Sequence, residues 1–272
     1  LSDHVHRLSG LEPIMTEDVT VLMPSSPIAT HPSTEMINQT IRDTMGHFKQ
    51  PVQLIIMADG LRDGTYAKEY NEYLRRLIWE CNVSDKPRLV LTHAEHEHQA
   101  RMTREALGYV TTKTILFVEH DAPLVPDYEF DFERLVQPIL KGEANVIRFH
   151  HEARVLDDHR HLMIELPQMV SGVPLWRTRQ WSQRPHLANA EFYRTMLNTY
   201  FDPDARTMIE DVIHGIVDSK VEDSGIMAWY EFRLWMYYPA INGEGANIKR
   251  SYHLDGRGDD KKVIDADNVV DL

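Results

Sequence analysis

Three neighbouring residues, Glu119-His120-Asp121, carry the clearest chemical signal in the chain. They follow the run Thr-Ile-Leu-Phe-Val at 114–118, and Pro123 and Pro126 come after them. The apolar run predicts a strand buried on both faces, as in a parallel sheet. The prolines stop any regular element beyond it. Open α/β sheets hold ligands at the carboxyl ends of their strands, where this triplet falls. Two carboxylates two residues apart suit a hard divalent cation that also touches a phosphate. The competing reading is a solvated acidic turn.

A second acidic turn, Ala58-Asp59-Gly60 with Asp63-Gly64-Thr65 behind it, closes the apolar run 52–57. A carboxylate at a strand's end can accept hydrogen bonds from a base or ribose edge. Glycine beside it lets a ligand approach the backbone. A plain Asx or Gly turn uses the same residues. Trp181, Arg184 and His186 crowd one stretch and offer an indole face, a guanidinium and an imidazole to a sugar. A connector pinned by Trp181 is the alternative. His93, His96 and His98 alternate with Glu95 and Glu97, a spacing that does not specify zinc, so a solvated loop is expected. His150-His151-Glu152 is read the same way. Cys81 falls in an apolar helical stripe and is expected in the core. No Gly-x-x-x-x-Gly-Lys-Ser/Thr loop and no Gly-x-Ser-x-Gly elbow occurs, which sets aside ordinary P-loop and serine-hydrolase chemistry.

The elements that must position these groups alternate. Strands are expected at 19–23, 52–57, 88–92 and 114–118. Helices are expected from an N-cap at Ser33 through Met36, Ile37, Ile41 and Met45, then over 66–81 and 99–107. This βαβ grammar implies a mostly parallel sheet with right-handed crossovers. Further on, a helix is expected at 131–140, a strand at 144–149, and strand-like pieces near 163–164 and 173–176. Helices follow at 190–200 and 206–217, and 229–238 reads as strand or helix. Residues 1–18 read as a lead-in arm and 261–272 as a loosely held tail.

The totals fit one large α/β domain: 272 residues, 42% apolar and 26% charged. A formal charge of −13 argues against a broad nucleic-acid surface. One cysteine permits no internal disulfide, and a reducing, cytoplasmic compartment is expected. No run of eighteen apolar residues suggests a membrane span. The first residues lack the apolar core of a signal peptide and do not start with Met.

The first 150 residues resemble glycosyltransferases of the GT-A fold, most like the inverting family 2. The strand and Pro-rich turn at 19–25, with Pro24 and Ser25, match the family's opening. Asp59-Gly60 matches its second-strand turn, Ala100-Arg101-Met102 its Ala-Arg-Asn triplet, and Glu119-His120-Asp121 its Asp-x-Asp. Order and spacing agree for all four. Ala58 replaces the first Asp of the turn, Glu119 the first acid of the metal motif, and Met102 the Asn. The resemblance makes Asp121 the surer metal ligand, with Glu119 on the ribose or behind the metal. It also implies a catalytic base from a Glu-Asp pair heading a helix, met by Glu210-Asp211, with Asp211 favoured. A late histidine ligand is met by His253, with Arg250 and Arg257 flanking it to grip a diphosphate.

The expectation is therefore a single GT-A α/β domain. Its nucleotide-sugar half is 19–150 and its acceptor and catalytic half 151–260. Its function would be metal-dependent transfer, with Mn2+ or Mg2+, from a nucleotide-diphosphate sugar, uridine-based by resemblance. The acceptor would be a glycan, lipid-linked or small-molecule hydroxyl, with nucleic acid less favoured, and the anomeric centre would invert. Pro24, Ser25, Asp59, Gly60, Arg101, Glu119, Arg250 and Arg257 would hold the donor. Asp121 and His253 would hold the metal, and Trp181, Arg184 and His186 would face the acceptor. The alternatives are a nucleotidyltransferase or sugar-nucleotide synthase, and a non-catalytic carbohydrate-binding domain.

Overall fold

The computed structural model describes residues 19–242 and 248–254. The expected arm, the expected tail and Arg257 lie outside the described residues.

The four expected leading strands form. They are β1 (Val19–Ser25), β2 (Gln53–Ala58), β3 (Arg88–Thr92) and β4 (Thr114–Phe117). They lie in the order β3-β2-β1-β4, and all are parallel. Every residue of β1 and β4 is buried, which is why these stretches read as unbroken apolar runs. Three crossover helices cover them: α1 (Glu35–Met45), α2 (Ala67–Asn82) and α3 (His98–Leu107). On α2 the stripe Tyr70, Tyr73, Leu77 and Cys81 turns inward, at helical spacing. The cap of α1 falls on Thr34 rather than Ser33, and Thr34 gives its hydroxyl proton to Glu80 (2.8 Å) instead of capping.

The expected helix at 131–140 is two short ones, α4 (Phe132–Leu135) and α5 (Gln137–Leu140). Pro138 has no N–H to continue the ladder. Asp131 caps α4 by accepting from the Arg134 N–H (3.1 Å). The second half then extends the same sheet. It contributes β5 (Val146–Arg148), a hairpin of β6 (Met163–Val170) and β7 (Val173–Thr178), β8 (His186–Asn189) and β9 (Leu234–Tyr237). Its helices are α6 (Ala190–Tyr200), α7 (Ile209–Ser224) and α8 (Ile226–Phe232). The sheet runs β3-β2-β1-β4-β8-β5-β9-β7-β6. It is parallel through β4 and mixed beyond, because β8 enters antiparallel between β4 and β5. The ambiguous stretch 229–238 is both things at once. Helix α8 ends at Arg233, whose φ of 47° breaks it, and β9 starts at the next residue.

Register brings the strand ends level. Ser25 lies opposite Ala58, and Ala58 opposite Thr92. Pairing continues past the strands: the Asp59 N–H donates to the Ser25 carbonyl (2.9 Å) and the His120 N–H to that of Pro24 (3.2 Å). Asp59 and Glu119-His120-Asp121 therefore leave the sheet at one edge.

Candidate active site

Asp121 is 2% exposed at the end of this edge. The segment 250–254 returns from far along the chain to lie antiparallel beside 121–125. Three backbone N–H groups fix it there: Leu254 to the Asp121 carbonyl (2.8 Å), Tyr252 to Pro123 (3.2 Å) and Val125 to Arg250 (3.2 Å). The Tyr252 hydroxyl donates to Asp43 of α1 (2.6 Å), and Thr40 of α1 donates to the His120 carbonyl (2.7 Å). This bracing sets His253 Nδ1 3.9 Å from Asp121 Oδ2. Two donors sharing one ion at about 2.1 Å stand roughly 3–4 Å apart, according to the angle between them. One carboxylate and one imidazole at this spacing fit Mn2+ or Mg2+, and the imidazole favours the former.

The edge is also joined to α7. Gln99, 5% exposed at the start of α3, donates its amide to Glu119 Oε1 (3.0 Å). Its carbonyl accepts the Ile209 N–H (3.0 Å), one of the unpaired amides at the head of α7. The sequence pattern did not single out Gln99, because its two partners sit far away in the chain. The first turn of α7 carries Glu210 and Asp211. Glu210 Oε2 accepts from the Gln183 N–H (2.8 Å) and so braces the 181–184 loop. Asp211 is exposed. Burial lowers the pKa of His98, while the carboxylates of Asp59 and Asp211 act on it in the opposite sense. Asp59, Asp211 and, through Gln99, Glu119 thus gather around the start of α3.

No known family model matches this sequence, and no curated protein matches it. Solved structures do. The mannosyltransferase PcManGT from Pyrobaculum calidifontis, in complex with GDP-Man and Mn2+, aligns at a TM-score of 0.53 and 15% identity, over 84% of this chain and 56% of its own. This chain has the GT-A fold. Residues 1–349 of S. aureus TarS with UDP-GlcNAc align at 0.49 and 11% identity, over 90% of this chain and 60% of theirs. Glucosyl-3-phosphoglycerate synthase from Mycobacterium tuberculosis aligns at 0.42 and 14%, over 79% and 66%. The chain spans less than two thirds of each of these structures.

Several residues expected to hold the donor in this GT-A sheet are otherwise engaged. Asp59, 2% exposed, has its carboxylate filled by backbone. Oδ1 accepts from Gly60 N–H (2.8 Å) and Glu97 N–H (2.7 Å), and Oδ2 accepts from His98 N–H (3.2 Å). His96 Nδ1 lies 2.9 Å from Oδ2. The residues read as a solvated loop are therefore folded down onto Asp59. Gly60 is needed for that closeness, since a Cβ there would stand 2.1 Å from the Glu95 carbonyl oxygen. Arg101 pairs with Glu97 (2.8 Å) and reaches toward Asp204 (3.9 Å). Ser25 shares a hydrogen bond with the Tyr73 hydroxyl (2.7 Å), and Pro24 is buried within β1. Arg250, 2% exposed, lies over the Tyr128 ring at 4.4 Å. Burial lowers the pKa of its guanidinium.

Two of the three expected acceptor residues are core. Trp181 is 1% exposed and donates its indole N–H to Gln183 (3.1 Å). His186 is fully buried in β8, stacked on Phe117 (5.2 Å) and Tyr193 (5.8 Å), with its ring nitrogens on the Arg184 carbonyl (2.8 Å) and the Tyr193 hydroxyl (3.2 Å). No face of either ring is open to a sugar, which corrects the sequence reading. Arg184 stays partly exposed.

Burial pushes the His186 imidazole down to about 4. In the unfolded chain it takes a proton near 6.5. The folded state then binds fewer protons in the window between them, so stability is full above about 6.5 and falls as pH drops toward 4. At 1.36 kcal/mol per unit the loss reaches about 3 kcal/mol. His186→Gln should be less stable at pH 7 and show a flatter decline between pH 6.5 and 4. Urea midpoints across that range measure both, and a slope equal to the native one would contradict the assignment.

Beyond β5 lies a second histidine cluster. His150, 7% exposed, places Nε2 3.5 Å from Glu152 Oε2. His159 places Nδ1 3.8 Å from the same oxygen. Burial, with the Arg148 guanidinium beside it, pushes the His150 imidazole down to about 2.

Proposed function

We propose that this chain is a metal-dependent glycosyltransferase that moves a sugar from a nucleotide-diphosphate donor, uridine-based by resemblance, to an acceptor hydroxyl with inversion. The observation that carries the reading is the approach of His253 to Asp121 at the ligand edge of a GT-A sheet. The similar mannosyltransferase holds GDP-Man and Mn2+, in keeping with such a donor and metal here. Bound between Asp121 and His253, Mn2+ or Mg2+ would neutralise the leaving diphosphate as a Lewis acid. The chain's own groups do the rest. Glu119, steadied by Gln99, faces the ribose side or stands behind the metal. Arg250, buried on the segment that carries His253, would add positive charge near the diphosphate.

Asp211 takes the proton of the acceptor hydroxyl as the new bond forms, because a neutral hydroxyl is a poor nucleophile near neutral pH. Glu210 is the poorer choice, since one of its oxygens already holds the Gln183 amide. Glu210 positions the loop instead. Partly exposed Arg184 is assigned to the acceptor side, where the acceptor is a glycan, lipid-linked glycan or small molecule.

Asp211→Asn should lower turnover by about 10²–10⁴-fold, the range for a positioned general base, with donor affinity unchanged. Glu210→Gln should cost less. Release of nucleoside diphosphate with Mn2+ and a panel of nucleotide sugars measures this, and the anomeric configuration of the product tests inversion. Native turnover by Asp211→Asn would remove it as base. Pyrophosphate in place of nucleoside diphosphate would mean nucleotidyl transfer.

A further inference from the structure

The sheet ends in a second cluster that the transfer chemistry does not use. His150 and Glu152 come just after β5, and His159 comes from the six-residue 3-10 helix Asp157–Leu162. One donor atom from each lies within 4.8 Å of the other two. We propose that His150, Glu152 and His159 form a zinc site with three protein ligands and an open fourth position, separate from Asp121 and His253.

Donor chemistry selects the ion. Two imidazoles and one carboxylate are poor partners for Mg2+ or Ca2+, which prefer all-oxygen shells. They match the three-ligand set of zinc sites that keep one position for water or a ligand. Spacing agrees. Donors around zinc at about 2.0–2.2 Å stand roughly 3.3–3.6 Å apart in a tetrahedron. The pairs His150–Glu152, at 3.5 Å, and His159–Glu152, at 3.8 Å, are already close to that. Only the remaining edge must shorten, and His159 sits on a turn where its side chain is 42% exposed.

Zinc would select one tautomer of the pair, the one with the His150 Nε2 lone pair toward Glu152. In the metal-free chain the Glu152 N–H reaches His150 Nδ1 at 3.5 Å, so binding would shift the ring proton. His150 Nδ1 meets His151 Nδ1 at 3.2 Å. If His150 donates there, its Nε2 carries the lone pair that faces Glu152. His151 then has its proton on Nε2, which lies 3.6 Å from Glu152 Oε1. His151 thus orients one ligand and leans on the other, the arrangement that outer partners make around zinc ligands. Arg148 and Arg184 act electrostatically on His150 and oppose a cation. Arg148 is held by Gln180 (2.7 Å) and feels the charges of Glu210 and Glu152. These cations make binding weaker than at a closed structural site.

The place is informative. The His150 carbonyl accepts the Arg250 N–H at 3.0 Å, so the cluster borders the segment that carries His253. Zinc there would pin the 157–162 turn onto the end of β5.

The test is calorimetric titration of Zn2+ into the full chain carrying Asp121→Asn, which removes the neighbouring site as a competitor. One zinc should bind. Adding His159→Ala or Glu152→Gln should weaken it at least 10-fold, while circular dichroism shows the fold retained. Both changes are at partly exposed side chains, so the fold should survive. Co2+ in place of zinc should give the visible absorption of a low-coordinate site in the first chain and lose it in the other two. Absence of bound zinc, or an affinity unchanged by both added substitutions, would overturn the site. The transfer reading would stand in either case, because the measurement uses neither donor nor turnover.

Discussion

Asp121→Asn should cut metal-dependent transfer by orders of magnitude and leave the fold in place. The two effects separate because the residue's backbone and side chain have different partners. Its carbonyl accepts the Leu254 N–H (2.8 Å), and that bond survives any side-chain change. Its carboxylate faces His253 Nδ1 at 3.9 Å. The amide of Asn keeps the shape but loses the charge and one anionic donor. Metal stabilisation of a leaving diphosphate is worth several kcal/mol, and each 1.36 kcal/mol is tenfold in rate. Turnover should therefore fall roughly a thousand-fold or more. His253→Ala should raise the Mn2+ concentration needed for half activity, with a smaller loss at saturation. Nucleoside diphosphate release across a Mn2+ series reads both, with a thermal melt to confirm folding. If Asp121→Asn turned over normally, the acidic end of β4 would be a turn and nothing more.

The parallel half of the fold was legible because burial on both faces leaves unbroken apolar runs. Strands β1 and β2 fall where such runs meet Pro24 and Asp59-Gly60, and β4 where its run meets Glu119-His120-Asp121. Strand β8 was not legible. It has four residues, and its first is a histidine that is satisfied by stacking and by two internal hydrogen bonds. Trp181 and His186 looked like ligand groups for the same reason: the polar atoms of an aromatic side chain can be paired inside as well as outside. The Asp121–His253 approach could be named from a resemblance to known glycosyltransferases. No local pattern announces it, since it depends on residues 250–254 pairing with 121–125. Gln99 escaped notice because its partners, Glu119 and Ile209, belong to different elements.

The two acidic strand ends share a sheet edge and differ in what reaches them. Asp121 is met by a histidine at ligand spacing, whereas Asp59 is met by amides. The loop at 95–98 offers its N–H groups to Asp59, and Gly60 lets the loop backbone come close enough to do so. The sequence reading assigns Asp59 to the donor and Asp121 to the metal. Hydrogen bonding assigns Asp59 first to the shape of the edge: it holds down the loop that starts α3, and α3 carries Gln99 and hence the link to α7.

Asp59→Ala should accordingly be a stability variant before it is an activity variant. It removes the acceptor for the N–H groups of Gly60, Glu97 and His98. Hydrogen bonds to a charged group are worth about 1.5–3 kcal/mol each, and a buried donor left unpaired costs about 1–3 kcal/mol. Some of these amides can regain water once the loop lifts, so the total should be about 3–5 kcal/mol. That is a large share of the roughly 5–15 kcal/mol that holds a typical domain together. Urea unfolding should show the drop, and amide exchange at Glu97 and His98 should speed up more than exchange in β1. Asp59→Asn should cost less, because one oxygen still accepts while the new NH2 faces a backbone N–H. A loss under about 1 kcal/mol for Asp59→Ala, with turnover sharply reduced, would return the carboxylate to the donor and show the loop amides to be incidental partners.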